Sequence, residues 1–272
     1  LPQSLDECIE RYGLKHFKIK ISNDFDTDSA RLTAIADLLE ARCEPDYAYT
    51  LDGNEQFETC RDFEDYWKRL TEIENLQGFW KHLIFVEQPI HRDNALDAQG
   101  HDFTDWPDRP PIIIDESDCN TGALPLALKL GYSGTSHKNC KGVFKGIANA
   151  CLLSHHRKEQ PDQRFLMSGE DLCNVGPVAL LQDLAVCAAL GIESVERNGH
   201  HYNAGLSQFP FELQDQIIRS HGDLYRRSEA GWPTLNIRAG EINLASVNES
   251  AFGVRFLLDP AQFTEAAQWQ WP

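Results

Sequence analysis

Three carboxylates stand at the ends of three short apolar runs. Asp52 closes Ala48-Tyr49-Thr50-Leu51-Asp52-Gly53-Asn54, and Glu87 closes Leu83-Ile84-Phe85-Val86-Glu87-Gln88-Pro89. Asp115 follows Ile112-Ile113-Ile114 and precedes Glu116-Ser117. Near-continuous apolar runs of this length read as buried parallel strands. An acid where such a strand ends is costly unless something offsets its desolvation. For three converging acids a divalent cation supplies that offset, and hard oxygen donors favour Mg²⁺, with Mn²⁺ second, over zinc. Alone, Asp52 reads as a helix N-cap. Glu87 before Gln-Pro does not, and three acids in succession point to a metal.

Lysines flank the acids. In Phe17-Lys18-Ile19-Lys20-Ile21 the period of two puts Lys18 and Lys20 on one face. Two neighbouring cations disfavour each other's protonation, as does a nearby metal ion. A lysine lowered in this way can act as a base near neutral pH. Lys138, in Ser136-His137-Lys138, ends a later and weaker run. The order of lysine run, three acid runs and lysine run sets Lys20 and Lys138 on opposite sides of the acids in a closed barrel. The plainer readings are a charged edge strand for Lys18 and Lys20, and a surface charge for Lys138, since Lys141 and Lys145 are near. Glu116 reads as a partner that positions a lysine or a ligand. His200 and His201 read as exposed loop residues after the last strand, and Trp232, Trp269 and Trp271 as packing residues.

The elements that must carry these groups alternate. Strands are expected over 16–21, 47–51, 83–86, 112–114, 133–137, 165–167 and 192–195. Helices are expected over 27–42, 62–73, 94–98, 121–130, 144–156 and 178–190. Ser4 is a fitting N-cap for a helix before the first strand. Strands alternating with helices imply parallel pairing and right-handed crossovers, hence an α/β fold. Catalytic groups of α/β barrels sit at the C-terminal ends of strands, where these charges fall. A closed (β/α)8-type TIM barrel needs eight strands. Seven are visible, so the first is expected to lie before Ser4, in sequence outside this chain. After Gly205 the pattern breaks. A helix is expected over 208–219, then short strands and loops over 232–258. The expected division is a barrel domain over 1–205 and a tail over 206–272 that packs outside the barrel or against a capping domain.

The chain has 272 residues, 42 acids against 25 bases and a formal net charge of −17. That excess argues against a nucleic-acid groove or an anionic membrane surface. No apolar run approaches the roughly 18 residues that span a bilayer. The eight cysteines are scattered, with no C-x-x-C pair, which fits reduced thiols in a cytoplasmic protein. The sequon Asn248-Glu249-Ser250 is short enough to arise by chance.

Taken together, Lys-x-Lys at 18–20, Asp52-Gly53-Asn54, Glu87-Gln88-Pro89, Asp115-Glu116-Ser117 and Ser136-His137-Lys138 resemble the enolase superfamily, in its mandelate racemase/muconate lactonizing enzyme branch. The likeness covers roughly residues 4–205. It implies a (β/α)7β barrel, here without its first strand and N-terminal capping domain. It implies Asp52, Glu87 and Asp115 as ligands of Mg²⁺, Lys20 and Lys138 as acid/base residues, and Lys18, Asn54 and Glu116 as tuning or substrate-binding groups. The implied chemistry is abstraction of the α-proton of a small carboxylate substrate. Racemisation, epimerisation, β-elimination and cycloisomerisation all begin there. Homo-oligomerisation is left open. Two departures stand out. Glu170-Asp171 occupies the place of the histidine base of mandelate racemase-like members. Val195-Glu196-Arg197 stands where dipeptide epimerases carry Asp-x-Asp. The alternatives are an inactive homologue acting as a binding or scaffolding protein, and a barrel hydrolase that activates water on its metal, which would want histidine ligands near Asp52.

Overall fold

The computed structural model describes residues 4–97, 102–170, 172–197 and 203–270. Seven parallel strands form one sheet in simple sequence order: β1 (His16–Lys20), β2 (Ala48–Asp52), β3 (Leu83–Glu87), β4 (Ile112–Ile114), β5 (Gly134–His137), β6 (Leu166–Glu170) and β7 (Val195–Glu196). The sheet curls into a nearly closed α/β barrel. Helices α1 (Leu5–Tyr12), α2 (Phe25–Arg42), α3 (Cys60–Thr71), α4 (Arg92–Ala95), α5 (Ala123–Lys129), α6 (Val143–Glu159) and α7 (Ala179–Ala189) fill the connections.

Local chemistry explains the boundaries. Ser4 and Glu7 make a capping box at α1, and Gly13 ends that helix in the left-handed conformation. Thr59 and Asp62 make a second box at α3. Strand β7 is shorter and later than its apolar run predicts, because Ile192 is buried before the strand begins. Strand β6 runs on to Glu170, so that glutamate ends a strand and does not merely follow one. The predicted helix at 94–98 is the single turn α4, and Ala98 lies outside the described residues.

The main core packs α1, α2 and α3 onto β1–β4 through Leu32, Leu39, Phe57, Phe63, Tyr66 and Phe79. Rings meet edge to face at Phe57–Phe63 and Phe57–Tyr66, and Tyr49 stacks on Phe79 at 4.0 Å. A second core joins Leu180, Leu181 and Leu184 of α7 to the C-terminal part of the chain. That part comprises α8 (Phe211–Ser220), an antiparallel pair β8 (Tyr225–Arg227) and β9 (Pro233–Leu235), and the short α9 (Ala245–Asn248). It also reaches α1, where Gly240 N–H donates to the Tyr12 carbonyl at 2.7 Å. Among the described residues β1 and β7 share no backbone pairing, and the C-terminal part touches the helix that leads into each of them. All eight cysteines are free thiols. Among the described residues no helix is long and apolar enough to cross a membrane.

Candidate active site

Adjacent acid strands are joined well past their ends. Asp52 and Glu87 are register partners across β2 and β3. Beyond them Gly53 N–H donates to the Glu87 carbonyl, Glu55 N–H to Gln88 and Phe57 N–H to Pro89, at 2.8–3.0 Å. Only glycine fits at 53, since a Cβ there would lie 2.5 Å from the Pro89 Cα. This close approach explains the pairing of Asp-Gly-Asn with Glu-Gln-Pro. Gln88 is fully buried and pins the third acid. Its Oε1 accepts from the backbone N–H of Asp115 at 2.7 Å and of Ser117 at 3.1 Å, and its Nε2 donates to Ser117 Oγ and the Ile90 carbonyl.

Asp52, Glu87 and Asp115 are each 2–3 % exposed. Burial pushes the Glu87 carboxyl up to about 7; Lys18 pulls it down, and Asp52 and Asp115 push it up again. Its Oε1 has no hydrogen-bond partner among the described residues. Asn54 N–H donates to Asp52 Oδ1 at 2.8 Å, and Asn54 Nδ2 to Glu116 Oε1 at 3.0 Å. Burial, then Asp115, raises the Glu116 carboxyl.

Lysines thread between the acids. Lys18 Nζ lies 2.9 Å from both Asp52 and Glu87 and also pairs with Glu196 at the end of β7. Lys20 reaches Asp52 Oδ2 at 2.5 Å, with its side chain half exposed. Both lysines therefore face inward. Lys138 lies 2.9 Å from Asp115 and 2.7 Å from Glu170. The expectation that Lys18 is lowered by its neighbour is corrected. Burial does push it down, but Glu87, Asp52 and Glu196 together hold it well above the usual lysine range. For Lys138 too, burial is outweighed, here by Asp115 and Glu170, and the group is raised. Asp115 is held low, because Lys141 and Lys138 overcome the effect of its burial.

Five charged residues enter this end of the barrel beyond the predicted site residues: Lys141, Lys145, Asp118, Glu170 and Glu196. Lys141 Nζ contacts Asp115 Oδ1, the Asp115 carbonyl and the Ser136 carbonyl. Lys145 pairs with buried Asp118 at 3.0 Å. Glu170 and Glu196 complete the ring on β6 and β7. The signal for the lysines was their spacing, since acids three apart at 115 and 118 face lysines four apart at 141 and 145. Behind the ring, buried Asp28 accepts from Ser22 N–H at 2.7 Å, Tyr66 Oη at 2.6 Å and Arg31 Nη2 at 2.6 Å. Arg31 also donates to the Lys20 carbonyl, which fixes the exit of β1. Asp171, His200 and His201 lie outside the described residues, as does Trp271.

The donor set suits a hard divalent cation: three carboxylates from adjacent strands, one with an orphaned buried oxygen. Among the described residues, however, no three acidic, histidine or cysteine side chains already stand close enough together to share an ion, and ammonium groups lie between the carboxylates.

No family model and no curated protein matches the sequence. Solved structures do share the fold. The L-Ala-D/L-Glu epimerase of Bacillus subtilis superposes with a TM-score of 0.52 at 16% identity, over 86% of this chain and 56% of that one. The L-talarate dehydratase of Polaromonas sp. JS666, complexed with Mg and L-glucarate, gives 0.50 at 16% identity, over 86% and 51%. The dipeptide epimerase of Enterococcus faecalis V583, complexed with Mg and L-Leu-L-Tyr, gives 0.50 at 18% identity, over 69% and 48%. The chain thus spans about half the length of these structures. The likeness establishes the barrel fold.

Proposed function

We propose that this chain is the barrel part of an enolase-superfamily isomerase or lyase that removes the α-proton of a small carboxylate substrate through an enolate. The observation that carries the reading is the placement of Asp52, Glu87 and Asp115, each buried and each at or just past the end of one of three neighbouring strands, between lysines on both flanks. In this reading the three acids hold Mg²⁺, which when bound neutralises charge that builds on the substrate carboxylate oxygens. Lys20 and Lys138 exchange protons with the substrate carbon from opposite sides. Lys18 stays charged beside Asp52 and Glu87 and supplies fixed positive potential. Asn54 and Glu116, joined by their hydrogen bond, shape the mouth next to Asp52. When Asp115 shares its charge with a cation it holds Lys138 less tightly, and Lys138 moves toward the neutral form that a base needs.

One observation favours a second reading. Lys141 already engages Asp115 through both its carboxylate and its carbonyl, as expected of a homologue that binds ligands without turning them over. Exchange of solvent deuterium into a panel of α-substituted carboxylic acids, with Mg²⁺ present, separates the two. The enzyme reading expects label at the α-carbon of at least one acid and a loss of about 10²- to 10⁴-fold on Lys138→Ala. Carboxylate binding without any exchange would favour the second reading and reject the first.

A further inference from the structure

A cavity lies at the other end of the barrel. It holds about 690 Å³, within the range of small-molecule sites. Pro111, Ser133 and Phe165 on its wall immediately precede β4, β5 and β6. Asp115, Lys138 and Glu170 stand at or just beyond the far ends of those strands, so this is a separate place on the molecule.

Its charge is unusual for this chain. The protein has 42 acids and 25 bases, yet the cavity is lined by Arg109, Lys129 and Arg164 together with His156, against the single acid Asp162. None of the three strong bases forms an ion pair with an acid among the described residues, whereas Arg31, Arg92, Arg227 and Arg255 elsewhere all do. Arg109 is only partly exposed. Its Nε donates to the Gly131 carbonyl at 3.1 Å and its Nη1 to the Trp106 carbonyl at 2.9 Å, which fixes the guanidinium plane. Nη2 has no partner among the described residues. Burial lowers the Arg109 pKa, and the nearby Asp102 raises it only in part. The His156 ring lies 5.2 Å from that of buried Phe165, and Leu128 and Leu152 add apolar wall.

We propose that this cavity binds a small organic anion, a carboxylate or phosphate monoester on an apolar body, with its charge met by Arg109, Lys129 and Arg164. A guanidinium held in place through Nε and Nη1, with Nη2 unpartnered among the described residues, suits an oxyanion. Two exposed cations, Lys129 and Arg164, add long-range attraction, and Phe165 with the leucines takes the apolar part.

The test is calorimetric titration of the chain with benzoate and with phenyl phosphate, with benzyl alcohol as the uncharged control. Saturable binding of at least one anion and none of the alcohol is expected, and the preferred anion tells carboxylate from phosphate. Arg109→Gln would also remove two structural hydrogen bonds, so the decisive variant is Lys129→Gln with Arg164→Gln, both at exposed positions. It should bind about tenfold more weakly or worse, with an unchanged melting curve showing that the fold is kept. No saturable binding of either anion, equal binding of the alcohol, or unaltered affinity in the double variant would overturn the proposal.

Discussion

The join between β2 and β3 and the seam between β7 and β1 are built by different means. At the first, backbone does the work. Register pairs run to Asp52 and Glu87, backbone hydrogen bonds continue to Phe57 and Pro89, and a further bridge links Phe57 to Ile90. At the seam no backbone pair exists among the described residues. There Lys18 reaches Glu196, and the C-terminal part holds α7 through Leu180, Leu181 and Leu184 and α1 through Gly240. The acids therefore sit on a scaffold that is stiff in itself. The seam depends on charge pairing and on residues distant in sequence.

The comparison is easiest to break at the stiff join. Phe57 is fully buried between Phe63 and Tyr66. Phe57→Ala should cost about 3–5 kcal/mol in denaturant unfolding. A loss under about 1 kcal/mol would mean that the join carries little of the fold. Next comes Gln88→Met, which keeps volume but strands the N–H groups of Asp115 and Ser117. The expected loss is about 1–3 kcal/mol for each buried group left unpaired, with faster amide exchange after β4 as the local readout.

The seam should respond to pH. His221 is fully buried, accepts from Arg255 N–H through Nε2 at 3.1 Å and so donates from Nδ1 to Ser246 Oγ at 2.8 Å. A proton on Nε2 would set two donors against each other. Burial holds its pKa below the ordinary value; Asp223 raises it and Arg255 lowers it. A depressed folded pKa means that this stabilisation is complete above the unfolded value, near ~6.5, and is lost as pH falls below it. Amide protection, corrected for the intrinsic pH dependence of exchange, should therefore fall in α8 and α9 on acidification while α3 stays protected. The same change in both regions would remove the distinction. The smallest effect is expected for Glu196→Gln. Lys18 keeps Asp52 and Glu87, so global stability should shift by less than about 1 kcal/mol, visible mainly as faster exchange at β7.

The same contrast decides what could be read from sequence. Strands β2, β3 and β4 were legible because each is a short apolar run closed by an acid, whereas β1 showed through the alternation of Phe17, Ile19 and Ile21 with Lys18 and Lys20, and β5, which is Gly-Thr-Ser-His before Lys138, showed only weakly. Strand β7 was misplaced because Ile192, the residue that suggested it, is buried before the strand. Lys141 and Lys145 were not singled out, since their partners Asp115 and Asp118 lie over twenty residues earlier. The raised state of Lys18 was hidden for a similar reason. Its neighbour Lys20 is visible in the sequence, but the three acids that hold it charged come from three other strands.

The proposed function requires the three strand-end carboxylates to act as one cation site. The most direct test is titration of the chain with Mn²⁺, followed by loss of the free-ion paramagnetic resonance signal, in wild type and in Glu87→Gln. The substitution keeps the shape of a buried side chain while removing its charge. The account predicts one Mn²⁺ per chain, displaced by Mg²⁺, with affinity at least about tenfold weaker in the variant, a difference of about 1.4 kcal/mol. No Mn²⁺ binding by the wild type, or equal binding by Glu87→Gln, would contradict it.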